Sequence, residues 1–167
     1  MARSRRKDLT IAAVALIVAG VALVGALVVT SQRSTNASPV SRGEAIFQSG
    51  VDASGNLIPR SSSGGGMMGG GGMMGGGGCA NCHGSDGRGR TTATFTSPNI
   101  TYGNLTDPQG MLMPDGTRGP AYTDAGIRTA VTRGIDPQGS HLEAPMPRWQ
   151  LTGPEWPDLL AYLKTLK

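Results

Sequence analysis

Two cysteines three apart, with a histidine directly after the second, constrain this chain more than any other stretch: Cys79-Ala80-Asn81-Cys82-His83. They are the only two cysteines in 167 residues, and a glycine-rich turn, Gly84-Ser85-Asp86-Gly87-Arg88-Gly89, follows at once. Two thiols at this spacing can add to the vinyl groups of a porphyrin, and the adjacent imidazole is then placed to bind its iron. A structural zinc site needs four ligands, and the one other histidine, His141, has no second cysteine pair to join it. A thioredoxin-like pair belongs at a helix start between strands, whereas here a glycine tract precedes the motif. A plain disulfide leaves His83 without a role. Covalent attachment of one haem c, through Cys79 and Cys82 with His83 on the iron, uses all three residues.

Composition points the same way. With 27 glycines and only 4% aromatic residues, the chain has little bulky side chain from which to build a core. A bound haem would supply a large apolar surface for helices to cover. The net charge of +4 does not mark a nucleic-acid binder. Arg3, Arg5, Arg6, Lys7 and Arg33 flank the first apolar run, and from residue 38 onward ten basic residues balance ten acidic ones.

Residues 9–30 carry no charge. A helix of that length spans roughly 33 Å, enough to cross a hydrocarbon core. The basic residues before it predict a cytoplasmic N-terminus and export of everything after Thr30. A cleaved signal peptide is the competing reading, but its apolar region is normally shorter. The expected organisation is therefore a basic cytoplasmic segment (1–8), a single transmembrane anchor (9–30), a tether (31–40) and an extracytoplasmic haem domain (41–167), with an insertion at about 49–78.

Within the domain, Ser41-Arg42-Gly43-Glu44 has capping-box spacing and predicts a short helix to about Gln48. Residues 49–63 read as an irregular loop. Gly64–Gly78 contains eleven glycines and four methionines, Met67, Met68, Met73 and Met74. No core can be made from such a tract; it is a low-complexity spacer, with a thioether copper(I) site as the alternative. The stretch 91–120 reads as loop. In it, Ser97-Pro98-Asn99-Ile100 is stiff and extended, suited to offering a backbone carbonyl to the ring N–H of His83.

Thr123 is the expected cap of a helix running to about Arg133, with Ile127, Ala130 and Val131 on its apolar stripe and Gly134 as its stop. Met146, held between Pro145 and Pro147 just before the last helix, is the expected second axial ligand. Met111, Met113 and His141 are lesser candidates for that position. Trp149 could cover the haem edge, donate its N–H to a propionate, or simply pack. Thr152-Gly153-Pro154-Glu155 is a second capping box, opening a closing helix whose apolar face includes Leu159, Tyr162 and Leu163.

With these residues in view, residues 41–49 and 79–167 resemble a class I c-type cytochrome. The resemblance implies an all-α fold of few helices round one haem, thioether links at Cys79 and Cys82, and axial ligation by His83 and Met146. It also implies that Pro98 and Ile100 line the haem pocket, and that Gly43 and Phe47 cross Leu159 and Tyr162. The expected function is single-electron transfer between respiratory-chain complexes, from a quinol-oxidising complex toward a terminal oxidase, on the outer face of the cytoplasmic membrane, without enzymatic turnover. A fixed cytochrome subunit of a respiratory complex is the alternative, followed by a haem peroxidase-like enzyme or a copper-handling protein.

Overall fold

The computed structural model describes residues 37–61, 77–93, 95–143 and 145–167. Its first helix, α1 (Pro39–Ser49), starts two residues before the expected capping box. Ser38 is the cap: its hydroxyl accepts from the Ser41 N–H at 3.1 Å, and Pro39 stands at a first-turn position where a missing N–H costs nothing. Gly50 ends the helix in the left-handed region at φ 71°, returning its N–H to the Ile46 carbonyl. The other helices among the described residues are α2 (Ala80–His83), α3 (Tyr102–Leu105), α4 (Asp124–Arg133) and α5 (Glu155–Leu163). Thr123 caps α4 through the Gly126 N–H, and Gly134 stops it, as the sequence predicts. At α5 the Glu155 carboxylate reaches back to the Thr152 N–H, which is half of the expected box.

Helices α1 and α5 cross at close range. Gly43 lies against the backbone of Asp158, and Phe47 tilts against Tyr162 with ring centroids 5.3 Å apart. Arg42 grips the buried Asp158 carboxylate with two hydrogen bonds, of 2.6 and 2.8 Å. Phe47 and Leu159 are the most completely buried side chains of the crossing. Ile46 and Leu163 extend the same cluster, which Ile127 and Val131 of α4 join.

The expectation of an all-α fold behind an N-terminal transmembrane helix is corrected here. The described residues hold five short helices together with two small antiparallel sheets. One joins β1 (Arg60–Ser61) to β4 (Arg148–Trp149), with Arg60 opposite Trp149 and Ser61 opposite Arg148. The other joins β2 (Arg90–Thr91) to β3 (Thr96–Ser97). Glycine and proline keep these segments out of helices, and their backbone groups then pair across extended neighbours instead. Among the described residues no helix is long and apolar enough to cross a membrane. The charge-free run 9–30 lies outside them, as do residues 62–76 with all four tract methionines.

Two stretches read as loop also take part in the core. Residues 49–61 turn through a hairpin closed by the Val51–Leu57 bridge, then bury Ile58 and enter β1. Residues 91–120 supply β3, α3 and the buried Leu105 and Met111. Hairpins of one design recur at Val51–Leu57, Leu112–Arg118 and Ile135–His141. In each the second residue donates to the carbonyl of the sixth, and the fifth is a glycine.

Candidate functional site

The site begins where the glycine tract ends. The Gly78 N–H donates to the Gln48 carbonyl, and its α-carbon rests on the backbone of Ile46 and Phe47 at the end of α1. The chain then makes the single turn of α2, in which the N–H groups of Cys82 and His83 both reach the Cys79 carbonyl. Cys79 and Cys82 thus stand one turn apart, half-buried and unbridged. Gly84 leaves the helix at φ 81°, and the Gly89 N–H returns to the His83 carbonyl at 2.8 Å, folding the glycine-rich turn back on the motif. Gln48 secures that turn from α1, giving its amide to the Ser85 carbonyl at 2.8 Å and to the Tyr162 hydroxyl at 3.1 Å.

The β2–β3 hairpin closes the other side. The Ser97 hydroxyl donates to the Cys82 carbonyl and accepts from the Arg90 N–H. Pro98 follows, and its carbonyl lies 2.9 Å from Nδ1 of His83. A carbonyl can only accept, so Nδ1 carries the hydrogen and Nε2 keeps its lone pair. Nε2 has no hydrogen-bond partner among the described residues. The Ile100 N–H then bonds the Gly87 carbonyl at 2.7 Å, so Pro98 and Ile100 are both held against the motif.

Burial sets the protonation of these groups. It holds the His83 imidazole below its ordinary pKa, against a smaller upward pull from the Pro98 carbonyl, so the ring is neutral at pH 7. The Cys79 thiol is pushed up to about 12 by burial, with the nearby charge of Arg60 opposing. It is a thiol rather than a thiolate, unlike a low-pKa redox cysteine. Among the described residues no three of His, Cys, Asp and Glu gather as a metal site, so the four-ligand zinc reading finds no further ligands. Two unbridged thiols and a neutral imidazole with a free nitrogen fit a covalently attached haem.

Met146 is half-buried and leans on the same apolar cluster as Cys79, Ala80 and Ile100. Its N–H donates to the Glu143 carbonyl at 3.1 Å, and its own carbonyl accepts from Arg148. Met111 is a core residue at 5% exposure, and Met113 packs at the edge of the cluster. His141 is exposed and bridges Ile135 at the end of a hairpin. Trp149 is buried. It packs against Gly50 and under the guanidinium of Arg60, 5.0 Å from the ring centroid. Arg60 also donates to the Gly77 carbonyl, two residues before Cys79.

Arg60, Arg148, Gln48 and Gly78 were not singled out by sequence reasoning, although all four hold the site or its surroundings in place. The available signal was slight: an arginine directly after each short proline-containing segment, Pro59-Arg60 and Pro147-Arg148. Compared with known proteins, the chain matches no protein-family model, no curated protein and no solved structure.

Proposed function

We propose that this protein is a monohaem c-type cytochrome that carries single electrons between respiratory-chain complexes at the outer face of the cytoplasmic membrane. The observation that carries the reading is the Pro98 carbonyl on Nδ1 of His83, next to two unbridged thiols one helical turn apart. In this reading Cys79 and Cys82 would hold haem c through thioethers, and His83 Nε2 and Met146 would ligate its iron. Held by both residues, the group would supply one-electron exchange with no position left for substrate, so in this reading the protein is a carrier rather than an enzyme.

The chain's own residues do the rest. Pro98 fixes the tautomer and plane of the imidazole and raises its basicity as a ligand. Ser97 holds the Cys82 carbonyl, and Gln48 takes the Gly78 N–H before the motif on its own carbonyl, so that the ligand is presented by a rigid backbone. Burial of His83 keeps water and protons from competing for Nε2. A thioether from Met146 as the second ligand would raise the reduction potential relative to two nitrogen ligands, which suits transfer from a quinol-oxidising complex toward a terminal oxidase. Location at the membrane is supported by the charge-free run 9–30 and its basic flank.

An absorption spectrum of the purified oxidised and reduced protein tests the proposal. A low-spin haem c with a methionine-to-iron band that disappears in Met146→Ala is the expected result. A colourless protein overturns it, and a high-spin resting state moves the assignment to a peroxidase-like enzyme.

A further inference from the structure

Met146 sits in a segment that is short of backbone donors, because the prolines on either side of it have no N–H. A sheet ladder cannot hold such a segment. Its bonding falls to Arg148, whose side chain folds back from β4. One amino group of the guanidinium donates to the Met146 carbonyl and the other to the Leu142 carbonyl at 2.9 Å. The two acceptors lie at the ends of the loop containing Met146, and one planar fork spans them, which a lysine ammonium cannot reproduce.

The fork itself is pinned from below. Gly134, the left-handed residue closing α4, lies directly under it: a Cβ there would be 1.6 Å from Nε and 1.8 Å from Cζ of Arg148. The Leu142 N–H bonds the Gly134 carbonyl at 2.8 Å, so the near end of the loop is fastened to the same residue. The cation also lies at the C-terminal end of α4, the negative end of the helix dipole. Helix α4, Leu142 and β4 are therefore joined through one side chain, which holds the backbone of Met146 at its carbonyl while Glu143 holds it at its N–H.

We propose that Arg148 is the positioning residue for Met146, fixing the main chain from which its thioether would be presented as a ligand. The inference rests on the reading of Met146 as axial ligand. Without the brace, the loop gains freedom that must be given up each time sulfur binds, and an outside ligand competes better. Attachment through Cys79, Cys82 and His83 involves a different part of the chain and is unaffected.

The test is an imidazole titration of the full-length, haem-loaded protein in detergent, comparing wild type, Arg148→Gln, Arg148→Lys, and a control at the exposed Arg128 (Arg128→Gln). Arg148→Gln should keep its covalent haem yet bind imidazole about tenfold more tightly, the loss expected from a charge-assisted hydrogen bond. Its methionine-to-iron band should fade on heating well before helical ellipticity falls. Arg148→Lys should lie between, and Arg128→Gln should match wild type. Should Arg148→Gln fail to fold, the comparison rests on Arg148→Lys. Imidazole affinity within about twofold of wild type in the folded Arg148 variants overturns the proposal. Failure of the underlying reading looks different: a wild-type protein without the methionine band, or one in which Met146→Ala retains it, removes Met146 as ligand and this role with it.

Discussion

A Cβ placed on Gly43 would lie 2.0 Å from the carbonyl oxygen of Asp158, so the backbones of α1 and α5 meet at that point. The obstacle is main chain and cannot swing aside. Gly43→Ala should force the helices apart and lower stability by about 1–3 kcal/mol, the range for overpacking a core. Denaturant unfolding followed by tryptophan fluorescence measures it, and an unchanged midpoint would show that the crossing is looser than described.

Gly78 and Gly103 should respond in opposite directions. A Cβ on Gly78 meets the Phe47 carbonyl oxygen at 2.1 Å, which prevents the motif from docking on α1. Gly78→Ala is expected to cost about 1–3 kcal/mol and to reduce haem incorporation. Gly103 lies within α3 with nothing inside 4 Å of its Cβ direction. Gly103→Ala should stabilise by about 0.5–1 kcal/mol through lost freedom of the unfolded chain. The same unfolding assay, with haem absorbance per polypeptide, reads both.

Acid sensitivity should localise in part to Asp124. The Lys164 ammonium at 2.8 Å and the Tyr102 hydroxyl at 2.8 Å hold its carboxyl below the ordinary value of 3.8. A carboxyl lowered in the folded state adds stability that is complete above the unfolded pKa and is lost as pH falls through the folded one. Asp124→Asn should therefore lower stability at neutral pH and flatten its decline below about pH 3.8. A decline identical to that of wild type would mean the pair is fully screened.

The proposed thioether attachment predicts a graded response to cysteine replacement. Cys79→Ser and Cys82→Ser should each keep haem bound through acidic organic extraction by the remaining thioether, while the double variant should release it. His83→Ala should remove the low-spin spectrum. Haem that washes out of wild type under the same treatment would contradict the attachment.

Much of the site and two of the longer helices were legible in the sequence because their signals are local. Thr123 and Gly134 bound α4 as expected, and Ile127, Ala130 and Val131 are its buried face. The extended Ser97–Ile100 segment delivers the Pro98 carbonyl to His83. The start of α1 was misplaced because Ser41 and Glu44 imitate a capping box, while Ser38 with Pro39 makes the better start. The β1–β4 pairing had no signal, since two-residue strands have no period and Arg60 and Trp149 are far apart in the chain. Arg148 was missed because arginine in a loop ordinarily faces water, and only the bare surface of Gly134 makes room for it.

The Arg42–Asp158 contact joins residues 116 positions apart. In a chain emerging N-terminus first, α1 is made early, and the face that α5 covers has nothing to cover it until nearly the whole polypeptide is present. Contacts between such distant parts are slow to form. Cys79 and Cys82 thus leave the ribosome well before Leu159 and Tyr162 can seal the crossing behind them. The proposed attachment at these two thiols therefore has a kinetic window built into the connectivity, and its length is set by synthesis of the last eighty or so residues rather than by the unfolding of a finished domain.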